Sequence, residues 1–210
     1  MTTAVTVSPY VTVPRAWEGE TAVVIASGPS LTQADIAYCR DRGARLIAVK
    51  DAIRWAPFAD CLYGCDATFW IRHRGVPECV SVKYSIDPRA AGHGPLLLRN
   101  TGESGLELDP TGVRTGKNST YQAVNLAVHY GVRRIVLLGL DMGHSPHGHK
   151  YFYGNRPSHQ QVVSPFAAML VVWPTLLAPL TALGVQLVNC SRQTALRCVP
   201  QMALEEALEQ

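Results

Sequence analysis

The sequence predicts an α/β fold, a largely parallel sheet with helices on both faces. Three observations predict it. Apolar runs of strand length alternate with segments of helical spacing. The runs are continuously apolar, as strands covered on both faces are. Glycine, proline or a capping residue stands at most of the junctions between them.

Residues 1–19 read as an arm or edge strand before a single domain over residues 20–210. "TAVVIA" from Thr21 predicts the first strand, and "LTQADIAYCRDRG" a helix that Gly43 ends. "RLIAV" and "DCLYGC" follow as the second and third strands. "CVSVKYS" and "PLLLRN" are weaker strand candidates in a stretch rich in glycine and proline. "NSTYQAVNLAVHYG" from Asn118 predicts a helix closed by Gly131, "RRIVLLGLD" the strongest strand, "VQLVNCS" the last strand and "PQMALEEALEQ" a terminal helix. The alternation defines a Rossmann-like domain.

The 210 residues suffice for one full core, with 47% hydrophobic and 17% charged residues. A net charge of +3 with scattered basic residues argues against a nucleic-acid groove and suits a small acidic ligand. Six cysteines show neither scaffold nor zinc spacing and read as buried free thiols of a cytoplasmic protein; the start of the chain lacks a signal-peptide layout. From Gln160 to Asn189 no residue is charged. Pro165, Pro174 and Pro179 interrupt that stretch, so it reads as a helix buried in the core or at a homodimer interface, not a membrane span.

Ligands of such sheets bind beyond the carboxyl ends of the strands. Those ends carry Ser27, Gly28, Pro29 and Ser30; then Lys50 and Asp51; then Asp66, Asp141, Asn189 and Ser191. Gly28 allows close backbone approach, and Ser30 is expected to cap the next helix, whose amino end favours phosphate or carboxylate. The turn has one glycine, so it is not the dinucleotide fingerprint. "GVRTGKNST" has three residues between its glycines where a phosphate loop has four, which leaves Asn118, Ser119 and Thr120 as a helix start that can cap or contact ligand. Lys50 can neutralise phosphate, and Asp66 and Asp141 can bind ribose hydroxyls or serve as N-caps. "DMGHSPHGHKYFYG" brings His144, His147 and His149 after Asp141, with His159 beyond; one histidine can act as general base, and a metal site would need a second ligand cluster that the chain lacks. Trp55, Phe69, Trp70 and Trp173 read as core residues.

The order of "GPSL", "TGKNSTYQAVNLAVHYGVRRIVLLGLDM" and "VNCSRQTALRC" resembles the family 42 sialyltransferases, the motility accessory factor glycosyltransferases and the archaeal 6-hydroxymethylpterin diphosphokinases. "IAVKDAIRWAPFADCLYGCDATFW" and "CVPQMALEEAL" are similar to small phage- and prophage-encoded proteins of the same fold. The resemblance spans roughly residues 21 to 208. It implies a cytidine-type nucleotide donor facing Gly28, Pro29, Ser30, Ser119 and Thr120, with Asn189 to Ser191 closing over it. Asp141 matches the aspartate after the strong strand, and His149 or His159 stands nearest the histidine base. Ser27 and Lys50 occupy positions where those enzymes carry asparagine. The resulting expectation is glycosyl transfer from a nucleotide sugar to an unidentified acceptor, with no required cofactor. The alternatives are Mg²⁺-dependent diphosphate transfer to a hydroxymethyl compound, and a non-catalytic phage protein that binds a nucleotide or a partner.

Overall fold

The computed structural model describes residues 8–160 and 163–209. The first seven residues of the expected arm, Gln161 and Val162 of the uncharged stretch, and Gln210 of the last helix lie outside the described residues.

Seven parallel strands form the main sheet: β1 (Thr21–Ile25), β2 (Arg45–Val49), β3 (Cys61–Tyr63), β4 (Val82–Ser85), β5 (Leu96–Leu97), β8 (Arg134–Leu138) and β9 (Gln186–Asn189). Their spatial order is β5-β4-β3-β2-β1-β8-β9. The chain therefore enters at β1, winds outward to β5, and returns to the other side of β1 with β8. Such a reversal opens a crevice at the carboxyl ends of β1 and β8. "PLLLRN" divides: Leu96–Leu97 joins the main sheet, while β6 (Arg99–Asn100) pairs with β7 (Gly112–Val113) in a two-stranded sheet.

Helices cover both faces, and β1 shows why its sequence is uniformly apolar. Ala22 and Val24 face one core with α3 (Ser119–Tyr130) and α5 (Leu177–Ala182). Val23 and Ile25 face the other, with α1 (Gln33–Asp41), α2 (Ala67–Arg72) and α6 (Leu204–Glu209). Period-two alternation sends each side chain to one of two buried layers, so both sets must be apolar. This is the Rossmann-like α/β fold that the alternation predicts.

The described part of the arm lies along the sheet edge, where Tyr10 bridges Leu97, and Trp17 stacks on Tyr130 of α3 at 3.8 Å. The uncharged stretch is not one buried helix. It breaks at a 3₁₀ turn containing Pro174 into α4 (Phe166–Val172) and α5, buries Trp173, Leu176 and Leu180, and leaves Val171 77% exposed. Among the described residues no helix is long and apolar enough to cross a membrane.

Candidate functional site

A cleft of about 360 Å³ opens where β1, β2, β3 and β8 end. Ser27 and Gly28 after β1, Lys50 and Asp51 after β2, and Asp66 after β3 line it. Asp141 after β8 and Asn118, Ser119 and Thr120 at the start of α3 complete that group of expected residues. Topology alone gathers them, since parallel strands deliver their carboxyl ends to one rim. The fold and this crevice are compatible with nucleotide binding in general.

The turn after β1 is built differently from the expectation. Asp141 reaches across the switch point and accepts from the Ser30 amide at 2.8 Å and from the Ser30 hydroxyl at 2.7 Å. Ser30 therefore serves an internal carboxylate and is not the cap of α1. Thr32 is that cap: its hydroxyl accepts from the Asp35 amide while the Asp35 carboxylate accepts from the Thr32 amide. Gly28 is glycine because backbone and carboxylate crowd it. A Cβ there would lie 2.5 Å from the Gly139 carbonyl oxygen and closer still to Asp141. Burial raises the Asp141 carboxyl above its ordinary value, and the two bonds from Ser30 only partly offset this.

Cations also line the cleft. Lys50, Arg72, Lys117, Lys150 and Arg156 line the cleft against the carboxylates of Asp51, Asp66 and Asp141. Lys50 pairs with Asp66, which also caps α2 by accepting from the Phe69 amide. Burial works against both charges, but the pairing holds Lys50 above and Asp66 well below its ordinary range. Asp51 is 5% exposed in its side chain and anchors the loop after β8: it pairs with Arg156 and accepts from the Tyr153 hydroxyl at 2.8 Å. His73 lies 3.2 Å from its other oxygen. Phe152 packs on Trp55 at 3.9 Å, so the loop is fastened by an apolar contact as well. Lys150 is lowered by burial, then by repulsion from Arg156 and Lys50. Lys50 and Arg156 keep their charges through Asp66 and Asp51, and of the three cations it is Lys150 whose charge burial and these neighbours disfavour, so an anion placed beside Lys150 relieves that repulsion.

At the third wall Asn118 caps α3, its Oδ1 accepting from the Thr120 amide at 2.7 Å and the Tyr121 amide at 3.3 Å. The Ser119 hydroxyl donates to Cys65 Sγ at 3.0 Å. The preceding Gly116 has φ +50°, and a Cβ on it would intrude on the Tyr121 ring. Its glycine thus serves packing, in keeping with the absence of a phosphate-loop spacing. Three of the five non-glycine residues with positive φ, namely Lys50, Lys117 and Met142, line this cleft. Strained backbone of this kind concentrates at functional sites.

Other expected residues lie elsewhere. His149 and His159 are exposed and outside the cleft lining, His159 contacting Gln160. Asn189 and Ser191 are buried fastenings: Asn189 donates to Thr194 at 3.2 Å, and Ser191 accepts from the Leu140 amide at 2.7 Å. Pro29 and Ser30, in the turn itself, do not line the cleft. Asp141 also borders a second hollow of about 440 Å³, polar and lined by His144, Arg192, Thr194, Arg197 and Gln201 among others. Arg192 there is tied to Asp35 of α1. Among the described residues no group of three or more His, Cys, Asp or Glu is arranged to hold a metal ion.

Lys150, Arg156, Met142, Phe166 and Met169 were not foreseen as lining residues. A signal for the first two exists in "KYFYGNR", where two basic residues bracket three aromatics just after the strongest strand. No protein-family model matches the sequence, and no curated protein matches it significantly.

Proposed function

We propose that this protein binds a nucleotide-linked donor in the cleft and transfers its glycosyl group to an acceptor hydroxyl. The observation that carries this reading is the crowding of Lys50, Lys150 and Arg156 beside the crevice between β1 and β8. Cations arranged in this way neutralise phosphate in the ground state and the charge of a departing nucleotide in the transition state. The resemblance to family 42 sialyltransferases supports a nucleotide sugar over a free nucleotide.

Asp141 is the base in this reading. Its raised carboxyl borders both the cleft and the second hollow, and in this reading the acceptor approaches it from that hollow. The acceptor hydroxyl gives its proton to Asp141, and its oxygen forms the new bond to the transferred group. The bond from that group to the nucleotide phosphate oxygen breaks, and the phosphate keeps the electron pair. Lys50, Lys150 and Arg156 hold that phosphate; Ser30 holds Asp141 in place.

Incubation with cytidine and uridine nucleotide sugars, with thermal shift and product analysis in parallel, tests the reading. Stabilisation with released nucleotide supports transfer. Stabilisation without product leaves a binding protein, and turnover only with a nucleoside triphosphate and Mg²⁺ replaces glycosyl transfer by diphosphate transfer. A ligand at about 100 times its dissociation constant adds nearly 3 kcal/mol, so even weak binding is visible.

A further inference from the structure

The start of α3 carries a feature that a phosphate site would not need. The Asn118 side chain is committed at one end: Oδ1 accepts from two amides of the first helical turn, at 2.7 and 3.3 Å. The amide cannot flip without placing N–H against N–H, so Nδ2 is fixed as a pure donor on the cleft side. Its partners there are thioethers, Met169 Sδ at 3.4 Å and Met142 Sδ at 3.9 Å. Thioether sulfur is a weak acceptor, so a good donor faces a poor one. Phe166 shares this wall.

We infer that Asn118, with Met142, Met169 and Phe166, reads the base of a bound nucleotide, whereas phosphate is held by Lys50, Lys150 and Arg156. The inference rests on the nucleotide reading of the cleft. A base matches this wall in each respect. Its flat, polarizable ring suits two sulfurs and a phenyl ring, and an oxygen or nitrogen on its edge replaces the sulfur as acceptor. Phosphate matches it poorly, because the amides of Thr120 and Tyr121 already bond to Asn118 and the groups that meet its Nδ2 are thioethers. A donor-only amide selects bases with an acceptor at that edge, and a site built around such a bond discriminates strongly against ligands that lack it.

The N-cap role allows a clean test, since Ser and Asp cap a helix about as well as Asn. N118S and N118D therefore keep the fold, checked by urea denaturation, while removing the N–H donors. Titration calorimetry with CMP, UMP, AMP and pyrophosphate is the measurement. The expected result is that the preferred nucleotide binds about tenfold more weakly to N118S, and pyrophosphate within about twofold of wild type. Equal nucleotide affinity in N118S and wild type overturns the inference, as does an equal loss for pyrophosphate and nucleotide. Wild-type protein that binds pyrophosphate and every nucleotide alike also overturns it, while the phosphate site stands. Wild-type protein that binds none of the four probes overturns the nucleotide reading itself.

Discussion

Asp141 fills the turn after β1 by accepting from both the amide and the hydroxyl of Ser30. The anion that this turn holds is therefore the protein's own carboxylate, and in the proposed function an external phosphate falls to Lys50, Lys150 and Arg156. S30A removes the hydroxyl bond and keeps the amide bond. It should lower stability by about 1.5–3 kcal/mol in urea denaturation, the usual cost of a hydrogen bond to a charged group. Nucleotide affinity, measured by calorimetry, should stay within about twofold of wild type. A large loss of affinity would mean that Ser30 contacts the ligand.

Gly28 has a harsher role. Any Cβ there meets the Gly139 carbonyl oxygen and the Asp141 carboxylate at once; the first is backbone, and the second is held by two bonds from Ser30. G28A should cost about 2–3 kcal/mol in urea or guanidinium melts, the upper range for overpacking. It should also displace Asp141 and depress turnover beyond what the stability loss explains. Ala at Gly19 or Gly43, where nothing lies within 4 Å, should show only the modest penalty of positive φ.

The layered architecture was legible because strand periodicity is local: β1, β2 and β8 are apolar throughout after their first residue, and their flanking helices carry caps and glycine stops. The rim was legible through topology, which delivers Ser27, Lys50, Asp66 and Asp141 to one edge from the sequence pattern alone. What sequence could not supply was which polar groups already satisfy one another. Ser30 and Asp141 are 111 positions apart, and Asp51 and Arg156 are 105 apart. Nothing local in "GPSL" shows that its hydroxyl is engaged, and Thr32 outcompetes Ser30 as cap only because Asp35 sits three residues beyond it. The placement of the histidine loop was not legible for a related reason: glycine and proline fix no direction for its side chains, and with Arg156 and Phe152 fastened His149 lies exposed.

The cation wall makes an electrostatic prediction. K150M removes a charge that burial, and then Arg156 and Lys50, already disfavour, so the protein should lose little stability. Nucleotide affinity should nonetheless fall about tenfold, as expected for one charge-assisted contact to phosphate. R156K is a different case, because Arg156 both faces the cleft and pairs with the buried Asp51. Lysine cannot reproduce the guanidinium geometry, so R156K should weaken binding and also loosen the loop, seen as faster amide exchange over residues 150–156.

The pH dependence separates two roles of the rim carboxylates. Asp51 and Asp66 have folded pKa values below their unfolded ones, because cations and donors outweigh burial. Their contribution to stability is complete above the unfolded value of about 3.9 and is lost as pH falls through the folded values. Urea midpoints should therefore drop steeply below about pH 4, and D66N should flatten that limb. Asp141 runs the other way. Burial raises it, so its ionisation costs stability as pH rises from the unfolded value through the folded one. The same ionisation creates the base, so kcat/KM for a nucleotide-sugar donor should climb through the Asp141 pKa and reach a plateau. An acid limb that persists in an H149A/H159A double variant and vanishes with the activity in D141N assigns the proton to Asp141. A limb that disappears in the double variant assigns it to a histidine carried into the cleft by the loop.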